Sequence, residues 1–302
     1  MSSNVRGVGF LVLALFTISL QTVAAKWLSS SYPVLQIVML RSLAALPLTL
    51  LLFRYEGGRG LPTTPRRVLE ITRGLFLFLS YTTFMMGLAA LPLAETAAIR
   101  NSGPLMITLL SVVVLGETVG PRRWLALLVG FVGVLLIVRP GAATFNLGSI
   151  FVLISVLFYA LTAMVTNKLR HTDSSATMAF YGTLVYLVAA AVLAPPAALI
   201  GETPDAHPSL TFLFRPWAMP TPMDSVIMAG MGLVWAAWMY FLARAYSLAQ
   251  ASVAAPFEYL ALPIDVLWGF LIWGEVPTWL TWIGAALTIV SGMYILYRER
   301  KS

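Results

Sequence analysis

The sequence predicts an all-α integral membrane protein with ten transmembrane helices, arranged as two inverted five-helix repeats with both termini in the cytoplasm. Three observations support this prediction: the composition is apolar, the apolar residues form runs of membrane-spanning length, and one motif occurs twice. Of the 302 residues, 59% are hydrophobic and 10% are charged, whereas soluble domains carry about 25% charged residues. So few charges cannot cover a surface that faces water.

Ten apolar runs have the length, about 20 residues, that a helix needs to cross a bilayer. They are residues 7–27, 34–53, 71–90, 93–115, 123–139, 147–168, 176–199, 224–247, 250–273 and 279–297. The alternating pattern of outer-membrane strands is absent, so we expect helices. The first run resembles a secretory signal, but its length and the spans that follow favour a first transmembrane helix.

Basic residues predict the orientation, because cytoplasmic loops of membrane proteins are enriched in Lys and Arg. With the N-terminus inside, the cytoplasmic segments hold Arg6, Arg54, Arg59, Arg66, Arg67, Arg73, Arg122, Arg123, Lys168, Arg170, Arg244, Arg298, Arg300 and Lys301. The outside segments hold Lys26, Arg139 and Arg215. The net charge of +7 is therefore typical of membrane topology, and we expect no nucleic-acid partner.

The connection 200–223 is the one long segment expected on the outside. It holds several prolines around an apolar patch, Leu210 to Phe214. Two interpretations remain open, a rigid surface connector and an interfacial flap beside the outer mouth.

A repeated motif predicts the inverted arrangement. Residues 91–117 and 249–275 are apolar stretches that both end in Gly-Glu, and Trp124 and Trp282 follow at matching positions. Because each half contains an odd number of spans, the second half enters the membrane from the opposite side. The expected halves are residues 1–145 and 146–302.

These features resemble the EamA-type drug/metabolite transporter superfamily: five plus five spans, a small-residue-rich fourth span that ends in Gly-Glu, and Trp in the fifth. Within it, the chain looks most similar to bacterial YddG-type amino-acid exporters. The resemblance implies a basket-like, multi-pass secondary transporter of the bacterial inner membrane that exports amino acids, including aromatic and other neutral ones, by alternating access. Two alternatives stay open: a multidrug or other metabolite exporter of the same superfamily, and a non-transporting membrane protein such as an intramembrane enzyme or assembly subunit.

Ionisable residues inside spans are functional candidates, because each costs about 2.5–3.5 kcal/mol to insert. The candidates are Arg41, Glu95, Arg100, Glu258 and Asp265. One interpretation is a structural ion-pair network, with Arg100 bound to Asp265 or Glu258 and Arg41 bound to Glu95. The other is transport chemistry: Arg100 meets a substrate carboxylate, an acidic partner meets the ammonium, and Glu258 or Asp265 carries a proton.

Helix-breaking residues in the equivalent spans four and nine are hinge candidates. Gly103 and Pro104 follow Ser102 in span four, and Pro256 and Pro263 lie in span nine. Proline removes a backbone hydrogen bond, so these sites are either tolerated kinks or hinges for alternating access.

Polar and aromatic side chains inside spans are candidates for the wall of a substrate cavity. The set is Thr17, Gln21, Tyr81, Arg100, Asn101, Tyr159, Trp235, Trp238, Glu258 and Tyr259.

Small residues repeat every four positions on spans five and ten, at Ala126 and Gly130 and at Gly284, Thr288 and Gly292. This spacing lets helices approach closely. We expect packing inside a monomer, with homodimerisation as the alternative.

The sequence favours no enzyme. Its two histidines, His171 and His207, fall in loops, cysteine is absent, and neither a metalloprotease, a P-loop nor a nucleophile-elbow motif occurs. We therefore expect no cofactor and no metal, and the expected partners are a small-molecule substrate and the lipid bilayer. Without an ATP-binding domain, transport would be passive or coupled to an ion gradient.

Overall fold

The computed structural model describes residues 3–115, 120–139, 146–169, 172–202, 205–248 and 260–299, which are helical apart from turns and connections. The helices are α1 (Ser3–Leu28), α2 (Val34–Tyr55), α3 (Arg67–Leu88), α4 (Leu93–Arg100), α5 (Gly103–Leu115), α6 (Pro121–Val138), α7 (Leu147–Leu169), α8 (Ser175–Ile200), α9 (Pro208–Phe214), α10 (Pro222–Leu248), α11 (Ala261–Trp273) and α12 (Trp279–Glu299). By length and hydropathy, α1, α2, α3, α7 and α8 can each cross a membrane.

The fourth predicted span is two helices rather than one. α4 ends at Arg100 and α5 begins at Gly103. Between them, Ser102 turns its hydroxyl back to donate to the Ile99 carbonyl at 2.7 Å, and Pro104 has no backbone N–H to continue the α4 ladder. Gly103 and Pro104, two of the hinge candidates, therefore lie at the start of a new helix, directly after this break.

The ninth predicted span is described only in part, as α11. Pro263 lies in the first turn of α11, where proline disturbs a helix least because the first N–H groups have no helical partner. The other candidates of this span, Pro256, Glu258 and Tyr259, lie outside the described residues.

The bundle is held by pairs of helices. α3 packs on α7 and α8, α1 packs on α10, α2 packs on α8 and α10, and α6 packs on α12. The largest core cluster includes Phe78, Leu88, Leu93, Ile99 and Phe212, all of them at most 2% exposed. Burial of each such side chain contributes on the order of 1.5–3 kcal/mol.

Small residues bring α6 and α12 into backbone contact. A Cβ added to Gly133 would lie 2.6 Å from the Gly284 carbonyl oxygen, and one added to Gly284 would lie 2.5 Å from the Gly133 carbonyl oxygen. Across the same seam, Thr288 is buried and Ser291 donates to the Ala126 carbonyl. The small-residue faces of spans five and ten are therefore used inside the chain, as the packing interpretation predicts.

Within the connection 200–223, a short helix packs into one end of the bundle, whereas Trp217 and Met219 after it are exposed. α9 lies against α2, α3 and α8, and its Ser209 and Phe212 are 0% and 1% exposed. Around it, Arg215 donates to the Ser29 carbonyl at 2.7 Å and Gln36 donates to the Ala218 carbonyl at 2.6 Å. We call this end, where α1 and α3 finish and α2, α7 and α10 start, the closed end.

The second Gly-Glu motif fastens the closed end. Gly274 ends α11 with φ 66°, the left-handed conformation that glycine adopts without a steric penalty. Glu275 then turns back, accepts the Leu93 backbone N–H at 2.7 Å and forms an ion pair with Lys26. One carboxylate thus joins the end of α11 to the end of α1 and the start of α4. The first copy of the motif, 116–117, lies outside the described residues.

Candidate functional site

A cavity of about 450 Å³ lies between α2, α3, α7, α8 and α10, in the half of the bundle away from the closed end. Apolar, small and hydroxyl side chains form most of its wall. Its charged and aromatic wall residues are Arg41, Arg73, Tyr159, Tyr186, Trp235 and Trp238. Under the predicted orientation, this cavity is in the cytoplasmic half of the protein.

Arg41 is surrounded by aromatic rings, and no described carboxylate pairs with it. Its guanidinium carbon lies 4.1 Å from the ring centroid of Tyr81, 5.1 Å from that of Tyr186 and 5.2 Å from that of Trp235. Ring faces attract cations, most strongly where water is excluded, and Arg41 is only 3% exposed. Its Nη1 has no hydrogen-bond partner among the residues that the structure describes. An arginine with a free buried N–H is poised to receive an acceptor oxygen, because leaving that donor unpaired costs free energy.

The sequence of α2 explains how a charge comes to lie in the core. Val38, Arg41, Ser42, Ala45 and Thr49 are all buried, and their spacing of three and four residues places them on one helix face. α10 reaches this face through Gly232, where an added Cβ would lie 2.8 Å from the Arg41 carbonyl oxygen. The arginine therefore sits where two helices meet at close range.

The aromatic wall is itself braced. Tyr186 meets Phe78 edge to face at 5.7 Å and Tyr81 at 5.9 Å between centroids, and its hydroxyl donates to the Leu77 carbonyl at 2.8 Å. The rings of Trp235 and Trp238, which follow each other by one helical turn on α10, have centroids 4.9 Å apart. Such pairs fix the ring orientations, so the cage around Arg41 is preformed.

Arg73 is a second cation on the cavity wall. Its Nε donates to Thr166 Oγ1 at 2.8 Å and its Nη1 donates to the Met178 carbonyl at 3.0 Å. The Glu70 carboxylate lies one turn earlier on α3, with Oε2 at 4.0 Å from Nη1. Sequence reasoning counted Arg73 among the basic residues of a cytoplasmic segment, because it lies near the start of a span. The sequence feature that could have identified Arg73 is its spacing from Glu70, since an acidic and a basic residue three positions apart lie on the same face of a helix.

The structure brings some predicted site residues together. Arg41, Tyr159, Trp235 and Trp238 line the cavity, and Tyr81 lies directly against Arg41.

Other predicted site residues lie elsewhere. Thr17 bonds its hydroxyl to the Leu13 carbonyl of its own helix at 2.6 Å. Arg100 faces the ring of Phe84 at 5.3 Å, Asn101 lies at the α4–α5 break, and Gln21 is buried in α1. None of these four lines the cavity.

The predicted ion pairs are not formed among the described residues. Arg41 has no described carboxylate within 4.0 Å and lies among aromatic rings, while Glu95 occupies the first turn of α4, where a negative charge is stabilised by the helix dipole. Arg100 acts on the buried Asp265 electrostatically without salt-bridge contact. The ion pair of the closed end, Lys26 with Glu275, is one that the spacing of charges did not indicate.

The charge balance of the cavity favours an anionic group. Two guanidinium groups line it, and its described wall contains no carboxylate. Apolar walls weaken screening and concentrate such a positive field. The site can therefore bind a carboxylate while aromatic and aliphatic surfaces cover an apolar body.

Similarity to known proteins extends over nearly the whole chain. The model of the EamA-like transporter family matches residues 5–139 and again residues 146–297. The S-adenosylmethionine uptake transporter of Rickettsia prowazekii (strain Madrid E) is 25% identical over 100% of this chain and 96% of its own.

Two further relatives have differently named cargo. The riboflavin transporter of Vibrio cholerae serotype O1 is 34% identical over 70% of this chain and 64% of its own. The pseudopaline exporter CntI of Pseudomonas aeruginosa (strain UCBPP-PA14) is 27% identical over 94% of each chain. A solved crystal structure matches 98% of each chain with a TM-score of 0.63 and 17% identity, which shows a shared fold.

Proposed function

Since the chain belongs to the EamA-like transporter family, we propose that it is a secondary transporter for small metabolites that join a carboxylate to an apolar or aromatic body. The protein is a multi-pass inner-membrane transporter of small molecules and not an enzyme. Aromatic and other neutral amino acids are the first candidates, because they combine the two features that the cavity complements.

The caged Arg41 carries this proposal. Its Nη1 has no acceptor among the described residues, and two of the rings that hold it, Tyr186 and Trp235, also line the cavity, where a flat side chain can stack. A carboxylate that takes this donor makes a charge-assisted hydrogen bond, which is stronger than a neutral one. Desolvation of the cavity makes the same bond selective, because a ligand without an acceptor leaves the arginine unpaired.

The named cargo of the relatives supports an organic metabolite in general. The relatives are named as transporters of S-adenosylmethionine, riboflavin and pseudopaline, and their names include both an uptake transporter and an exporter. Amino-acid export, the function that sequence resemblance implies, is one member of that range. We propose that the gradients of substrate and coupling ion set the direction.

The proposed mechanism is alternating access between two inverted halves. We assign the structure to a state of this cycle with the closed end shut, because α9 and the Lys26–Glu275 pair hold that end together and the cavity lies in the other half. The break between α4 and α5 supplies a joint at which one half can bend against the other. Under the predicted orientation this is the inward-facing state.

Counterflow in proteoliposomes tests the function with a matched pair of substrates. Wild-type vesicles loaded with unlabelled L-tryptophan are expected to take up labelled L-tryptophan but not labelled tryptamine, which lacks the carboxylate. Arg41→Gln is expected to reduce tryptophan counterflow at least tenfold, because it removes a charge-assisted bond of about 1.5–3 kcal/mol. Arg59→Gln, in the exposed connection between α2 and α3, is the control and keeps wild-type counterflow.

Equal counterflow of tryptophan and tryptamine in the wild type would contradict the carboxylate role of the cavity. So would an Arg41→Gln protein that exchanges tryptophan with wild-type affinity.

A further inference from the structure

Glu70 is a carboxyl group that the described residues leave unsatisfied. It lies in the first turn of α3, is 0% exposed, and has no hydrogen-bond partner for either oxygen. Within the described part of the chain, the nearest cationic nitrogen is Arg73 Nη1 at 4.0 Å, beyond hydrogen-bond range. Burying an anion without donors is costly, so the ionised form of Glu70 depends on the charge of Arg73.

Arg73 stands between Glu70 and the cavity. Thr166 and the Met178 carbonyl hold its guanidinium in place, and the same guanidinium lines the cavity wall. The positive charge of Arg73 can therefore stabilise a negative charge at either of two positions, the Glu70 carboxylate or a carboxylate in the cavity.

The neighbouring charges increase this dependence on Arg73. Among the described residues, the other charged group that acts on Glu70 is Asp173, in the connection between α7 and α8. Its negative charge opposes a second one at Glu70. From α8, the group that faces Arg73 is the neutral phenol of Tyr186. Among the residues that the structure describes, Arg73 is thus the one charged group that stabilises ionised Glu70.

We propose that Glu70 is a proton-binding site linked to the substrate site through Arg73. When the substrate carboxylate bound at Arg41 enters the cavity that Arg73 also lines, its negative charge competes with Glu70 for the positive charge of Arg73, and Glu70 binds a proton from water. The charge of Arg73 is then compensated by one negative charge in each state: by Glu70 in the empty protein and by the substrate carboxylate in the loaded protein. Substrate and proton cross the membrane in the same direction. A pH gradient therefore drives the substrate from the more acidic compartment to the less acidic one.

This inference rests on the proposed function, because the anion that enters the cavity is the proposed substrate's carboxylate. It places coupling at Glu70, one turn outside the cavity, rather than at Glu258 or Asp265 as the sequence suggests. Linkage is reciprocal, so one proton per substrate makes the apparent affinity fall by up to about tenfold for each pH unit.

Tryptophan exchange at equal pH on both sides of the vesicle measures this linkage. From pH 6 to pH 8, the apparent affinity of the wild type is expected to fall by at least tenfold. Glu70→Gln is the neutral isostere of protonated Glu70 and is expected to lose this pH dependence. Glu56→Gln changes an exposed carboxylate at the same end of the bundle and keeps the wild-type profile.

Proton movement in the wild type gives a second measurement that does not depend on a variant's folding. A tryptophan gradient directed into vesicles that hold a pH-sensitive dye is expected to acidify the lumen. Wild-type exchange that is independent of pH, a lumen that stays at constant pH during net influx, or a Glu70→Gln protein with the wild-type profile would each overturn the proposal. Absence of tryptophan exchange at every pH would instead refute the proposed function, and the coupling with it.

Discussion

A contact between two glycines sets the spacing of α6 and α12. Gly284 lies so close to the Gly133 carbonyl that an added methyl would be 2.5 Å from the oxygen, a contact that backbone must move to relieve. Overpacking of this kind costs about 1–3 kcal/mol.

Gly284→Ala is therefore expected to lower the thermal midpoint of the detergent-solubilised protein. Gly230→Ala is the matched control, because Gly230 lies in α10 with nothing within 4 Å of the added Cβ. In a helix, alanine is favoured over glycine by about 0.5–1 kcal/mol, so Gly230→Ala is expected to melt at or above the wild-type temperature. A Gly284→Ala protein as stable as Gly230→Ala would show that the seam can open without cost.

At the level of an element, the stability of α9 depends on the protonation state of one histidine. His207 caps this helix: its Nδ1 accepts the Ser209 backbone N–H at 3.3 Å, and its Nε2 lies 3.1 Å from the Asn146 side-chain oxygen. The cap requires the neutral ring, because a protonated imidazole has no acceptor. Burial lowers the pKa of His207 below its ordinary value of 6.5.

α9 is expected to loosen in acid. Since the pKa is lower in the folded state than in the unfolded one, the stability that neutral His207 contributes is complete above pH 6.5 and is lost as the pH falls below that value. Hydrogen exchange of the α9 amides should therefore accelerate between pH 7 and pH 5, after correction for the intrinsic rate. His207→Asn retains a good cap that does not titrate and should remove the effect. An unchanged pH profile in that variant would assign the loosening to another group.

The long helices could be predicted from sequence, but the short ones and the polar contacts could not. Apolar runs of membrane-spanning length locate α1, α2, α3, α7 and α8 because a bilayer imposes both length and hydropathy. α9 has only seven residues, too few to leave a periodic signal.

The same limit applies to the candidate site. Arg41 was identified, because a charge in the middle of an apolar run is conspicuous, but its partners were not. Its aromatic cage is built from α3, α8 and α10, which are distant in sequence. Arg73 was missed because its charge is near the start of a span, where lysine and arginine are common.

At the scale of the whole molecule, the closed end is held by few charged contacts. Glu275 connects α11 with both α1 and α4, so its loss weakens three elements together. Glu275→Gln keeps the shape of the side chain but removes the charge that pairs with Lys26.

The natural chain has no cysteine, which makes accessibility at the closed end measurable. We expect an Ala94→Cys protein to react slowly with a membrane-impermeant maleimide, because Ala94 is 2% exposed. Addition of Glu275→Gln should accelerate labelling several-fold by populating states in which this end is open. Addition of Glu202→Gln, which affects a more exposed ion pair with Arg215, should leave the rate unchanged. Equal rates with and without Glu275 would show that the pair does not seal this end.

The seam between α6 and α12 has a consequence for how such a protein can move. These helices are the last of the two matched stretches, and along the seam main chain touches main chain. At the closest point, neither Gly133 nor Gly284 has a side chain that could move aside to separate the two helices. We therefore expect the two stretches to rotate about this seam during transport without separating along it. Spin labels placed on either side of the seam should keep their distance during a transport cycle, while distances between labels far from it should change.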